Sequence, residues 1–313
     1  MVSAGAGQTV LLRSDGRAVA CGSNQGGRCE LPPLGPGMSY SQVAAGDDHT
    51  LLLRSDGSVV TCGRNEVGQC NAPPLAEGLR YTQVSAGCHQ SVLLRSDGSA
   101  VGCGLKQGNI PPLEAGLVYT QVSAGGDHTV LLRSDGNAVA CGKNCCGQCN
   151  IPPLDEKIMY TEVSAGGKHT ILLRSDGSVA TCGNNDAGQC DIPPLEGGMS
   201  YTQVSAGTCH TVLLRSDGSA VACGMAAFGQ CDIPPLEEGI SYTHVPGADK
   251  SHAFRCFLCF FLNMERYIQP QILGLEVSVH IFPRRTEQST CLSRSAPNNP
   301  GFCRRNPYCA SPQ

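Results

Sequence analysis

The side chains best suited to chemistry recur at one position of a repeated pattern. Four copies of the pattern place histidine there and two place glutamine: His49, His128, His169, His210, Gln8 and Gln90. A histidine acts as a general base or a metal ligand where other groups converge on it. These residues belong to separate copies, and glutamine replaces histidine without a change of context. We therefore predict structural, hydrogen-bonded side chains rather than catalytic ones.

Cysteines form a second recurring pattern, Cys-x7-Cys, in five copies: Cys21 and Cys29, Cys62 and Cys70, Cys141 and Cys149, Cys182 and Cys190, Cys223 and Cys231. The spacing suits disulfides within a unit or a redox-sensitive ring. It also suits reduced thiols packed as small apolar side chains, which we favour because free cysteine is usually buried. A free-thiol titration distinguishes these alternatives.

Zinc ligands are the remaining possibility for these cysteines. Cys145-Cys146-x-x-Cys149 and Cys256-x-x-Cys259 each resemble half of a zinc knuckle, but neither has a second half at a suitable spacing. The neighbours Cys88-His89 and Cys209-His210 lie in different copies. We expect neither a metal nor a cofactor.

The pattern itself is the hexapeptide Leu-Leu-Arg-Ser-Asp-Gly, which begins at residues 11, 52, 93, 131, 172 and 213. A near-constant interval of this size indicates one supersecondary unit copied several times. Apolar, β-favouring runs flank each Asp-Gly, which predicts a β-hairpin whose tight turn has positive φ at its central residues. The Arg and Asp are identical in all copies, whereas a unique active site requires asymmetry, so we assign them structural roles.

The unit at residues 158–198 shows what each copy contains. We predict strands over 160–166, 170–174 and 178–182, then a glycine-punctuated loop over 183–190. Residues 192–195, Ile-Pro-Pro-Leu, are a weak fourth strand or a connector, because proline cannot donate to a ladder. A unit of four strands in about 40 residues is typical of one β-propeller blade.

Three motifs in this order resemble the regulator of chromosome condensation repeat: Asn-x-x-Gly-Gln, Val-Ser-Ala-Gly-x-x-His-Thr and Leu-Leu-Arg-Ser-Asp-Gly-x-x-Val-x-x-x-Gly. The resemblance covers roughly residues 1–255 and implies an all-β propeller, commonly of seven blades. Members often carry Trp where this chain has cysteine before the closing glycine. We expect six blades, with seven as the alternative. The units span about 1–37, 38–78, 79–116, 117–157, 158–198 and 199–239.

The ends of the repeat region raise two further expectations. A further unit opens at 240–255, and its first strand, 240–246, could pair with the N-terminal unit to close the ring. The third unit is three residues shorter after Cys103, which predicts a trimmed loop on an intact blade. Repeats give way to a tail of low order at 256–313, in which only 275–281 alternates like a strand.

Charge and composition restrict the partners. Residues 1–245 hold 14 Lys and Arg against 22 Asp and Glu, whereas binding to a phosphate backbone calls for a basic stripe. The longest apolar run is too short to cross a membrane, and the first residues lack a signal-peptide pattern. We expect an intracellular, cytoplasmic protein, with the nucleus as an alternative, that binds neither nucleic acid nor membrane.

Positions that differ between copies are the candidate binding residues, because loops on a rigid scaffold commonly bind. They follow Ala-Gly or lie inside the Asn-x-x-Gly loop: Asp47, Asp48, Glu66, Cys88, His89, Asp127, Lys168 and Asp186. The family resemblance implies a non-enzymatic protein-interaction module, such as a scaffold or a substrate-recognition module of the kind associated with ubiquitin ligases. The alternative, from the family's namesake, is a guanine-nucleotide exchange factor for a small GTPase.

Overall fold

The computed structural model describes residues 1–105, 110–237 and 239–245. The repeats form six antiparallel sheets of three strands each, in sequential order within every sheet. A single-turn 3-10 helix lies at Gln25–Gly27. The strands are β1 Val2–Ala4, β2 Gln8–Leu12, β3 Ala18–Gly22, β4 Tyr40–Ala45, β5 His49–Arg54, β6 Val59–Gly63, β7 Tyr81–Ala86, β8 Gln90–Arg95, β9 Ala100–Gly104, β10 Tyr119–Ala124, β11 His128–Arg133, β12 Ala138–Gly142, β13 Tyr160–Ala165, β14 His169–Arg174, β15 Val179–Gly183, β16 Tyr201–Ala206, β17 His210–Arg215 and β18 Ala220–Gly224.

Each predicted hairpin is present, but its turn is one residue longer than the tight turn expected from Asp-Gly. In the second unit Arg54 N donates to Ser58 O, which leaves a three-residue loop. Only Gly57 has positive φ, at 82°, and Asp56 Oδ1 accepts from Ser58 N at 2.8 Å. This is the bulged three-residue hairpin, in which glycine supplies the left-handed conformation. The aspartate is fixed by turn geometry, as predicted.

A bulge in the first strand of five units explains an irregular burial pattern. In β7 the register shifts between Tyr81 and Gln83, so that Tyr81 pairs with Arg95 and Gln83 with Leu94. The shift puts Tyr81 on the same side as Val84 and Ala86, and all three join one buried cluster. The tyrosine hydroxyl then reaches back to donate to Pro73 O at 2.6 Å.

Apolar packing occurs between neighbouring sheets. Leu52 packs in a cluster with Val10 and Tyr40, while Leu53 packs with Tyr81 and Leu93 of the next unit. Adjacent leucines on a strand point to opposite faces, so each middle strand covers both neighbours. Both leucines are at most 4% exposed. Each unit therefore buries its apolar faces against neighbouring copies.

The expected fourth strand is absent from the described sheets, which all contain three strands. Ile192 and Leu195 instead pack beside the cluster of Ile171 and Tyr201. Two successive prolines lack the N–H groups that a ladder needs, so the segment serves as an apolar connector.

The expectations for the third unit, for residues 240–246 and for the tail have different outcomes. The third unit keeps its hairpin, as predicted, whereas residues 106–109 of its trimmed loop lie outside the described residues. The described part of 240–246 forms no strand, and the first sheet contains only β1, β2 and β3. Tyr242 and Val245 pack instead on Val212 and Leu214 of the sixth unit. The proposed tail 256–313 and the strand at 275–281 lie outside the described residues. No helix in the described ranges is long and apolar enough to cross a bilayer.

Candidate functional site

Both kinds of variable segment lie at the same end of the sheet in each unit for which the structure describes both. The strand after the Ala-Gly loop runs toward the Arg-Ser-Asp-Gly turn, and the next strand returns, so the two loops meet. In the second unit Arg64 N donates to Asp48 O at 2.8 Å, and in the fifth Asn184 N donates to Lys168 O at 2.9 Å. We call this end the loop face, and the opposite end, with its identical turns, the turn face.

The Asn-x-x-Gly loops share one internal scaffold. Asn65 Oδ1 accepts from Cys70 N at 2.9 Å, and Gln69 Oε1 accepts from Val67 N at 3.1 Å. Gly68 supplies positive φ, at 81°. The same bonds recur around Asn144 and Asn185. Backbone geometry is therefore fixed while the two residues between Asn and Gly are free to vary.

Charged residues on the loop face are partly paired. Asp48 lies between Arg28, at 3.2 Å, and Arg64, at 3.9 Å. Arg28 also donates to the backbone oxygen of Asp47. In the fourth unit Asp127 lies 3.2 Å from Lys143 Nζ. These contacts hold the aspartates in place, so their carboxylates form part of a defined surface.

The other predicted residues lie on the same face but are spread around it. Glu66, His89, Lys168 and Asp186 are exposed, and Cys88 is half-buried. Lys168 lies close enough to Cys146 and Cys209 for its ammonium to favour the thiolate form of both. The pKa values of both thiols are nonetheless raised. The main cause is the hydrogen bond with Cys145 for Cys146 and burial for Cys209. These residues therefore share one surface, and no single pocket in the described part of the chain brings their side chains together.

Two features of the loop face were not predicted. Arg28 occupies the position that Gln69, Gln148 and Gln189 fill elsewhere, and it is 5% exposed. Phe228, in the register of Val67, is 47% exposed. Aligning the copies would have found both as departures from the repeat.

The histidine position forms a belt that links the first five units each to the next. His49 Nε2 lies 2.8 Å from Ser91 Oγ, and Ser91 Oγ donates its proton to Gln69 O at 2.8 Å. The histidine must therefore donate, which places a proton on Nε2. His128–Thr170 and His169–Thr211 repeat the contact at 2.9 and 3.1 Å, and Gln8 donates to Thr50 at 2.9 Å. The predicted structural role is confirmed.

Two further belts join the first strands of successive units, which line an axial cavity. Side-chain oxygens of four glutamines and one glutamate accept from valine N–H groups of the following unit: Gln42, Gln83, Gln121, Glu162 and Gln203. Serine hydroxyls accept from alanine N–H groups in the same way: Ser3, Ser85, Ser123 and Ser164. First strands and His244 line a cavity of about 200 Å3. The glutamine belt was not predicted.

Glu162 is the exception in the glutamine belt. Its contact with Val204 N is 3.4 Å, against 2.9 to 3.0 Å for the four glutamines. Gln121 also donates Nε2 to Val163 O at 3.3 Å, which a carboxylate cannot do. Burial raises the pKa of Glu162 to about 7.

The cysteines of the closing strand pack between units. Cys62 and Cys103 direct their thiols toward Arg28 O and Gln69 O of the preceding unit, both at 3.4 Å. Burial raises the pKa of each to about 11, so both are protonated and unreactive at neutral pH. The expectation of a buried side chain at every closing strand is correct only for Cys103, because Cys62, Cys141, Cys182 and Cys223 are half-buried and Cys21 is exposed.

The repeat model that matches the sequence is the regulator of chromosome condensation (RCC1) repeat. It matches residues 40–69, 119–148, 160–189 and 201–230, each from the bulged tyrosine strand to the glutamine, including Gln230, that anchors the loop. Four of the six units are therefore RCC1 repeats. The matched segments lie in the second, fourth, fifth and sixth units. No curated protein sequence matches the chain.

Solved structures with RCC1-type folds are similar to this chain. Yeast RCC1 (Prp20), in a crystal structure with Kap60, matches with a TM-score of 0.63 and 20% identity over 79% of this chain and 73% of that one. Human WBSCR16 matches with a TM-score of 0.61 and 18% identity over 75% and 78%. Prp20p from Saccharomyces cerevisiae, studied for its binding to Gsp1p and histones, gives 0.54 and 21% over 63% and 59%. The structural similarity establishes the β-propeller fold.

Within the described ranges of this RCC1-repeat chain, no group of three or more His, Cys, Asp and Glu side chains is placed to hold a metal ion. Cys209 is on the loop face, whereas its neighbour His210 is 6% exposed and belongs to the histidine belt. The RCC1 scaffold thus separates a uniform interior from a loop face that varies between units.

Proposed function

We propose that the chain is a non-enzymatic, intracellular interaction module that binds a protein partner through its loop face. One observation carries the proposal: wherever the structure describes both copy-specific segments of a unit, they lie at one end of the sheet, while the other end repeats the same turn. Binding specificity requires a surface that differs from point to point, and loops on a rigid scaffold supply one.

The chemistry of the loop face supports a protein partner. It combines fixed aspartates beside Arg28, Arg64 and Lys143 with two exposed apolar side chains, Val67 and Phe228. Aromatic and arginine residues amid polar groups are typical of protein interfaces. The acidic balance of residues 1–245 disfavours nucleic acid as a direct partner. Prp20, similar in fold, has been crystallised with Kap60.

Site-specific photo-crosslinking in cells tests the proposal. A photoreactive residue replaces Glu66 or Asp186 on the loop face, with Asp56 or Asp176 on the turn face as controls in the same units. All four are exposed acidic positions. We expect Glu66 and Asp186 to capture a common protein that the turn-face positions miss. Capture from the turn face alone would contradict the proposal.

A second assay separates this role from nucleotide exchange. The purified chain is added to small GTPases loaded with a fluorescent guanine nucleotide, and the release rate is measured. The proposed module leaves the rate unchanged. Acceleration would replace the scaffold role with that of an exchange factor.

A further inference from the structure

Two adjacent thiols stand out on the loop face. Cys145 and Cys146 occupy the variable positions of the fourth unit's Asn-x-x-Gly loop, and their Sγ atoms lie 3.6 Å apart. Cys145 is exposed and Cys146 half-buried. By contrast, Cys149 and Cys190 point their thiols at backbone oxygens of Lys143 and Asn184, at 3.4 and 3.5 Å. The loop therefore presents a dithiol to solvent.

From this geometry we propose that Cys145 and Cys146 form a reversible vicinal disulfide, with a low-molecular-weight disulfide such as oxidised glutathione as the oxidant. The pair is not a requirement of the fold. Equivalent positions hold Glu66-Val67 in the second unit and Asp186-Ala187 in the fifth, on the same loop scaffold.

The scaffold keeps the two sulfurs together. Cys149 N donates to Asn144 Oδ1 at 2.8 Å, and Cys146 N donates to Gln148 Oε1 at 2.9 Å, with Gly147 at a φ of 81° between them. Gln148 is 1% exposed, so the anchor is part of the core. Little chain entropy remains to be lost when the Cys145–Cys146 disulfide forms, because the loop is already ordered.

The two thiols have different roles in the reaction. The hydrogen bond with Cys145 is the main cause of the raised pKa of Cys146, which keeps its proton. The exposed Cys145, as thiolate, attacks one sulfur of oxidised glutathione, breaks its S–S bond and releases one glutathione thiolate. Cys146 transfers its proton to a glutathione thiolate, attacks the Cys145 sulfur and releases the second glutathione. Two protein thiols are oxidised, and one glutathione disulfide is reduced to two glutathiones.

Ring closure changes the shape of the loop face. The sulfurs must approach from 3.6 Å to about 2.05 Å, which bends the backbone between Asn144 and Gly147. Lys168 lies beside Cys146 and is one of the predicted binding residues. We therefore expect oxidation to reduce partner binding. This expectation rests on the proposed function, whereas the disulfide itself does not.

Peptide mapping of the full chain tests the disulfide. The protein is equilibrated in glutathione buffers of increasing oxidation, quenched with an alkylating agent and digested with trypsin, which releases residues 144–157 with all three thiols of this loop. We expect a peptide lacking two hydrogens, with Cys149 alkylated, that returns to three alkylated thiols in reduced glutathione. At an intermediate buffer its occupancy should exceed that of a Cys182–Cys190 disulfide at least about tenfold.

Serine variants make the result specific. Cys145→Ser and Cys146→Ser each abolish the internal disulfide, while Cys149→Ser retains it; near-ultraviolet circular dichroism checks the fold of each. Alkylation of both thiols in every buffer, a mixed glutathione adduct without the internal disulfide, or pairing of Cys145 or Cys146 with Cys149 would each overturn the proposal. Crosslinking from Glu66 under oxidising and reducing conditions then tests partner binding separately.

Discussion

The inter-unit belts and the loop face are made by the same repeats, yet they vary very differently. At the histidine belt the side chains are only His or Gln, and those of the first five units each reach a hydroxyl or carbonyl of the next unit. On the loop face the corresponding pairs include Asp47-Asp48, Cys88-His89 and Gly167-Lys168. A bond that must join every unit to its neighbour permits little change, whereas a surface that meets a partner once can differ at each position.

Acid should weaken the histidine belt, and this should be the largest effect on the free energy of unfolding. Burial, with His128 and His210 nearby, lowers the pKa of His169 to about 3, and burial lowers that of His210 to about 4. The unfolded chain takes up protons near 6.5, so the stabilisation is complete above that pH and is lost as pH falls toward 3. His169 alone should cost on the order of 3 kcal/mol between about pH 7 and pH 4. Urea unfolding across this range measures it, and a flat profile would contradict the assignment.

Replacing the ring tests the hydrogen-bonding role at neutral pH. His169→Ala removes the donor to Thr211 and leaves a cavity, so we expect a loss of about 1 to 3 kcal/mol in the free energy of unfolding. The matched control is His169→Gln, because Gln8 and Gln90 already make this contact in other units. The glutamine variant should stay close to the parent and show less acid sensitivity. Equal losses in both variants would argue against the role.

Glu162→Gln should repair the exceptional position of the glutamine belt. The folded pKa of Glu162, about 7, lies above its ordinary value of 4.5, so its contribution is present at low pH and is lost as pH rises through 7. The variant should therefore match the parent in acid and exceed it by roughly 1 to 3 kcal/mol above neutral pH. Gln121→Glu, which introduces a second carboxylate, should do the reverse. Thermal midpoints at several pH values measure both.

Sequence reasoning succeeded where one copy contains the whole signal. Leu-Leu-Arg-Ser-Asp-Gly fixes hairpin, turn and core leucines locally, and the His-or-Gln exchange reveals a hydrogen-bonding position. It failed where the partner lies in another copy. Gln121 bonds to Val163, 42 residues away, and nothing within a single repeat indicates which side chains bridge. The missing fourth strand is a different failure, because Pro193 and Pro194 permitted both an edge strand and a connector.

Changes on the loop face should leave stability almost untouched, the smallest effect of all. Glu66→Ala removes an exposed side chain outside the loop scaffold, so the free energy of unfolding should shift by no more than about 0.5 kcal/mol. Asp186→Ala removes an exposed carboxylate that accepts from Asn184 Nδ2 at 2.6 Å, so we expect a loss of no more than about 1 kcal/mol. Asn65→Ala and Asn185→Ala, which remove the scaffold bonds, serve as destabilising controls. Denaturant midpoints compare the four variants. Large losses in the Glu66 and Asp186 variants would mean that the face is structural.

Hydrogen exchange of the full chain, alone and with its crosslinked partner, tests the division between interior and loop face most directly. We predict that amides of the first strands, such as Val84 and Val163, exchange slowly in both states because belt oxygens hold them. Binding should add protection in the Asn-x-x-Gly loops at 65–68, 144–147 and 185–188. Protection gained in the turns at 55–58 and 175–178, with the loops unchanged, would contradict the account.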